Sequence, residues 1–262
     1  MGRKSRTKRE RQGVAGEHTG EGRPRNVRRI AILATGAVVL IGVAIGIVVA
    51  LGSGSSLPSS GEALAGKSGP VSLAAAAAAI NFHPTVEPGV GQMEDLPASA
   101  AQPPLNKDLL PVGSAAPSFT LKTPTGTEVS LADFSGKTLL LEFFATWCPH
   151  CQAETPHLIQ LASTLSRSHF AFLSINADGE DAASVYAFDR YFKVPYPSLL
   201  DPSSRPGSFS QAGGAGAVSV AYRVEDFPTF YIIGPDGRIA WRSDQEQPDA
   251  LLRRELEHAA GA

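Results

Sequence analysis

Cys148 and Cys151 are the only two cysteines in the 262-residue chain, separated by Pro149 and His150. At this spacing two sulfurs can bond only where a helix begins at the pair. A helix start also stabilises a thiolate through its unpaired N–H groups. The predicted chemistry is therefore reversible dithiol–disulfide exchange. A zinc half-site competes with it, but tetrahedral zinc takes four ligands. No second cysteine pair exists, and His18, His83, His157, His169 and His258 are scattered without ligand spacing. A purely structural bridge is disfavoured because so short a loop removes little unfolded-state entropy. No metal and no cofactor is expected.

Within the motif each position has a chemical reading. Cys148, at the exposed N-terminal end of the helix, is the predicted nucleophile, and Cys151, one turn inside, is the resolving thiol. Pro149 suits a first turn because its missing N–H would be unpaired anyway. His150 is the tuning residue. An imidazole beside Cys148 donates to the thiolate or pairs with it, which lowers the thiol pKa and makes the disulfide more oxidising. A solvated histidine on a helix end is the alternative.

The elements that must position this motif can be read from hydropathy. Residues 139–144 form a short apolar run, as for a strand buried on both faces, and Glu142 interrupts it six residues before Cys148. Leu158, Leu161 and Leu165 recur at helical spacing, so a helix runs from the cysteines to about Ser166. Residues 169–175 read as a second strand, and Asp181 caps a helix through Val185, Phe188 and Phe192. Two hairpins are expected, 118–121 with 128–131 and 229–233 with 238–241, turning at Thr123-Pro124-Thr125-Gly126 and Gly234-Pro235-Asp236-Gly237. An amphipathic helix over about 248–259 closes the chain, while residues 194–220, rich in proline and glycine, suggest no element. This order implies an α/β fold, a mixed sheet covered by helices.

Charge divides the chain. Residues 1–29 hold ten Lys/Arg against Glu10, Glu17 and Glu21, a net +7 within a total of −2, which leaves −9 for the rest. Residues 30–51 follow with no charge and only Thr35 as a polar side chain, long enough for a hydrocarbon core of about 30 Å. The basic run before this stretch reads as topogenic and places the N-terminus in the cytoplasm, so no nucleic-acid partner is expected. The length favours a retained signal-anchor over a cleaved signal. The expected organisation is a basic cytoplasmic tail (1–29), a transmembrane signal-anchor (30–51), a flexible Ala/Pro/Gly-rich tether (52–111) and a folded domain (112–262) outside the cytoplasm, where disulfides persist. Residues 73–80, rich in alanine, suggest a short helix within the tether.

The element order, with the cysteines at the first long strand–helix junction, resembles the thioredoxin fold. More closely, the domain is similar to the membrane-anchored TlpA/ResA-like thioredoxins of bacterial envelopes, which are AhpC/TSA-related. Gly113-Ser114-Ala115-Ala116-Pro117-Ser118-Phe119-Thr120-Leu121 resembles that family's leading segment, and Glu142-Phe143-Phe144-Ala145-Thr146-Trp147-Cys148 its active-site strand. Pro156 lies where thioredoxins carry a helix-kinking proline, and Phe227-Pro228-Thr229-Phe230 resembles the segment whose cis-proline faces the disulfide. The resemblance implies a three-layer α/β/α mixed sheet with an N-terminal β-hairpin, preceded by one transmembrane helix. It implies that Glu142 is a buried acid able to deprotonate Cys151, against the plain alternative of a strand-edge glutamate. Glu154 matches an acid of ResA-like proteins, against the alternative of a solvated residue on an exposed helix face. Trp147 is either an apolar lip beside the disulfide or a core residue. Arg223 departs from the family, replacing a common glycine, and so does the Pro-His dipeptide.

The leading functional expectation is a membrane-tethered thiol–disulfide oxidoreductase. Its partners would be envelope proteins with thiols or disulfides, an unidentified membrane redox partner, and the membrane itself through residues 30–51. The family points to a reductant, for instance in cytochrome c maturation, whereas Pro149-His150 argues for a disulfide-forming oxidant. A peroxiredoxin-like peroxidase and a non-catalytic binding module are the further alternatives.

Overall fold

Seven consecutive residues without an exposed side chain define the centre of the molecule. Thr138–Phe144 (β3) is buried along its whole length in the computed structural model. That is the physical consequence of an apolar run with neighbours on both edges and both faces. The model describes residues 71–85, 91, 93 and 95–261, all within one compact unit. The predicted tail and span at 1–51 lie outside the described residues. Among the described residues no helix is long and apolar enough to cross a membrane.

Around β3 the described strands are β1 (Thr120–Lys122), β2 (Glu128–Ser130), β4 (Phe170–Asn176), β5 (Ser198–Leu200), β6 (Thr229–Ile233) and β7 (Ile239–Ser243). They form one seven-stranded sheet in the order β2-β1-β5-β4-β3-β6-β7. β3, β4 and β5 run parallel, and β6, β7, β1 and β2 pair antiparallel to their neighbours. The mixed α/β sheet and both hairpins agree with the expectation. β5 does not: it lies inside 194–220, where the sequence suggests no element. Three residues flanked by prolines are too short to show a period.

Helices α2 (Pro149–Thr164), α3 (Ala182–Phe192) and α5 (Asp249–Ala259) cover one face of the sheet. Leu140 meets Leu158 and Leu161 of α2 and Leu252 and Leu256 of α5, while Phe144 meets Val185 and Phe188 of α3. The other face buries Leu139, Leu141 and Phe143 with Tyr222 and Tyr231, under the short α4 (Ala217–Ala221) and a 3-10 turn at Leu131–Phe134.

The expected tether needs correction. Its described parts are held against the domain. Leu73–Ile80 (α1) forms behind the Ser72 cap and packs on α3. The Phe82 ring lies 5.4–6.0 Å from those of Phe188, Tyr191 and Phe192. Further on, Asp244 accepts the N–H groups of Leu105 and Asn106 at 2.8 and 2.6 Å, and Gln247 pairs with both backbone groups of Gln102. Composition misled here because a few aromatic and carboxylate anchors suffice to dock an Ala/Pro-rich segment. Arg223 belongs to the same arrangement. Its φ of 56° is the left-handed conformation that favours glycine, and its side chain donates to the Asp108 carbonyl while its own carbonyl accepts from Asn106.

Candidate active site

The helix that the cysteine spacing requires is α2. Cys148 is its N-cap in extended conformation, Pro149 occupies the first turn, and the Cys148 sulfur accepts the Cys151 N–H at 3.4 Å. Both residues are thiols. The Phe227–Pro228 peptide is cis, and the Cys148 thiol donates to the Phe227 carbonyl at 3.7 Å. Trp147 is 54% exposed with its ring edge-on to Phe227, a lip and not a core residue. Cys148 itself is only 4% exposed, recessed more than its place at a helix end suggested, because Trp147 and the Phe227–Pro228 turn flank it. Pro156 lies inside α2, where it cannot donate to the Gln152 carbonyl.

The two thiols are driven apart in acidity. A hydrogen bond from the Cys151 thiol, the Cys151 N–H and the charge and N–H of His150 bring Cys148 down to about 7, against the opposing pull of burial. Burial and the adjacent Cys148 sulfur push Cys151 upward. Cys148 is thus the thiolate, and Cys151 needs a base. Glu142 is the buried carboxyl whose charge bears on it. It is 3% exposed, which settles the strand-edge alternative, and burial raises it to about 7 although Ser174 donates to its Oε2 at 2.6 Å. Its Oε1 has no hydrogen-bond partner among the described residues, so an incoming proton has a place to land.

Glu154 is fully buried, which removes the alternative of a solvated residue on an exposed helix face. Cys151, Glu154, Thr155 and Leu158 recur at three- and four-residue spacing, which turns all four toward the sheet. His150 is not simply solvated: its Nδ1 lies 2.7 Å from Glu246 Oε1, on the loop between β7 and α5.

Several residues of the site escaped the sequence reading. Glu180 accepts the Thr146 N–H at 2.7 Å, the Thr146 hydroxyl, and the Asn176 amide at 2.6 Å. Asp178 accepts the Trp147 indole N–H at 2.7 Å and the Phe209 N–H at 3.0 Å. Gln152 donates to the Thr146 carbonyl and accepts the Thr85 N–H. The available signal was positional: two acids directly after β4, at the carboxyl end of a strand parallel to β3. Beside the pair, a cavity of about 660 Å³ lies between His150, Phe227 and Pro228 on one side and Leu96, Gln102 and Leu105 on the other.

Comparison with known proteins agrees with this geometry. The Redoxin family model matches residues 111–259. The thiol-disulfide oxidoreductase ResA of Bacillus subtilis (strain 168) is 29% identical over 133 residues, covering 51% of this chain and 67% of the relative. ResA of Geobacillus kaustophilus (strain HTA426) is 31% identical over 133 residues, covering 51% and 69%. A Chlorobium tepidum structure described as thiol:disulfide interchange protein DsbE superposes with a TM-score of 0.50 at 23% identity, over 58% of this chain and 99% of that one, a likeness of fold. The match spans the whole domain that carries the cysteine pair, and the chain therefore belongs to the Redoxin family, as a TlpA/ResA-like thiol–disulfide oxidoreductase of the thioredoxin superfamily.

Proposed function

We propose that the chain acts as a reductant of protein disulfides outside the cytoplasm, anchored by residues 30–51, with envelope proteins as substrates and a membrane redox partner that regenerates its dithiol. The observation that carries the direction is the 2.7 Å contact between His150 and Glu246. A protonated imidazole alone would stabilise the Cys148 thiolate, and with it an oxidising disulfide. Beside a carboxylate that help is partly offset; Cys148 stands at about 7, held there first by the Cys151 thiol and only secondarily by His150, and the dithiol can give up electrons.

In the forward reaction the Cys148 thiolate attacks a substrate disulfide, forms a mixed disulfide and releases one substrate thiolate. Glu142 takes the proton of Cys151, whose sulfur attacks Cys148 and releases the second. Two electrons pass to the substrate and the Cys148–Cys151 disulfide remains. Equilibration with a glutathione buffer tests the direction. A potential well below about −150 mV is expected, and one near or above it would favour the oxidant that Pro149-His150 suggests. The names of the ResA relatives support the reaction class; the apolar stretch at 30–51 and the basic run before it support the placement.

A further inference from the structure

Beneath the cysteines the core holds a row of polar side chains that apolar packing does not require. Glu142, Ser174 and Ser198 are register partners on the adjacent parallel strands β3, β4 and β5, so all three project from one face. Ser174 donates to Glu142 at 2.6 Å, and Ser198 donates to Asp189 of α3 at 2.7 Å. The Tyr196 phenol pairs with Ser174, and the charges of Glu142, Asp189 and Glu154 bear on it. Tyr196, Ser198 and Asp189 together line a cavity of about 530 Å³, rimmed by Arg190 and the exposed Lys193. The row therefore runs from the base of the redox pair to a solvent-facing cavity behind α3.

Such a route answers a specific need. Cys151 is fully buried and Glu142 nearly so. Once a substrate is joined to Cys148 it covers the mouth of the site, and the proton leaving Cys151 needs another exit. We propose that Tyr196 and Asp189 carry this proton from Glu142 to the cavity, by way of Ser174 and Ser198, while the mixed disulfide is resolved. This rests on the dithiol reaction proposed above. Cys151 S–H gives its proton to Glu142 as its sulfur bonds to Cys148 and the Cys148–substrate bond breaks. The substrate sulfur leaves as thiolate and is protonated from solvent. Glu142 passes a proton to Ser174, which releases its own to Tyr196. Tyr196 releases its phenolic proton toward Ser198, Ser198 passes its hydroxyl proton to Asp189 along their 2.7 Å bond, and Asp189 delivers one to water, so each group ends as it began and one proton is moved. The charged and titratable groups bearing on the row are Cys148, Cys151 and Glu154 from α2, Asp189 from α3 with Arg190 and Lys193 at the cavity, and Tyr196 ahead of β5. Burial lifts Glu142 and Asp189 alike to about 7, so a proton moves between them without a large uphill step.

The test uses the full chain in detergent, reacted with 5,5′-dithiobis(2-nitrobenzoate) in a stopped-flow instrument. The first thionitrobenzoate reports attack by Cys148 and the second reports resolution by Cys151. Y196F and D189N are each expected to slow the second phase about tenfold or more near pH 7, less than the roughly hundredfold or more of a direct general base because each acts beyond Glu142. The deficit should shrink toward pH 9, with the first phase unchanged. A second phase with wild-type rate and pH profile in both variants would overturn the relay. If D189N does not fold, Y196F decides alone, since it keeps the ring and loses only the hydroxyl. No second phase in the wild type would remove the dithiol reaction itself, and the relay with it.

Discussion

When His150 is protonated, the Glu246 carboxylate 2.7 Å from its Nδ1 offsets much of the charge that Cys148 would otherwise feel. The thiolate then depends mainly on the Cys151 thiol and N–H. H150A is accordingly expected to move the Cys148 titration upward by only about 1 pH unit, the effect of one partly screened neighbour, read from thiolate absorbance at 240 nm. A shift of several units would mean that His150 acts as an unscreened cation. The buried carboxyls make a separate statement about stability. Glu142 and Asp189 are both raised to about 7 by burial, so the folded state holds protons that the unfolded chain releases near pH 4. Their stabilising contribution is complete at low pH and is lost as pH rises through 7. Urea unfolding of the wild type should therefore show stability falling between about pH 4 and 7, and E142Q should flatten that slope. An equally steep slope in E142Q and D189N would assign it to other groups.

At the scale of elements, two connections hold the active-site turn. The loop between β4 and α3 presents Glu180 to Thr146 and Asp178 to Trp147. Charge-assisted hydrogen bonds of this kind are worth about 1.5–3 kcal/mol each. E180Q keeps the shape and weakens the acceptor, so a loss of about 1–2 kcal/mol is expected in chemical denaturation, together with slower reduction of a protein disulfide. D178N should change Trp147 fluorescence, because the indole N–H loses its anionic partner. The second connection is the segment ahead of the domain, where Phe82 docks among Phe188, Tyr191 and Phe192. F82A should cost about 1–3 kcal/mol, less than a fully buried phenylalanine, and expose residues 71–85 to limited proteolysis. Resistance equal to the wild type would show that α1 is held without this ring.

At the scale of the molecule, the proposed anchor predicts that a variant lacking residues 1–51 remains soluble with an unchanged redox potential while the full chain fractionates with membranes. The same redox chemistry in both forms would separate anchor from catalyst. How much of this was legible follows from range. Cys148-Pro149-His150-Cys151 carries its chemistry in four adjacent residues, and β3, β4, α2, α3 and α5 carry theirs in local hydrophobic period, so these were readable along the chain. β5 was not, because three residues show no period, and neither was the docking of residues 71–85 and 95–110, because their composition is that of a linker. The partners of the site arise from residues far apart: Glu246 lies 96 positions from His150, Glu180 lies 34 from Thr146, and Ser174 lies 32 from Glu142. The sequence by itself determined the cysteine pair, the helix that must start at it and the α/β fold class, and on the same local spacing it proposes Cys148 as nucleophile and Cys151 as resolving thiol. Only the tertiary structure decided that Glu142 and Glu154 are buried, that His150 is paired and that Cys148 is recessed, because burial and charge pairing belong to surfaces brought together by the whole sheet.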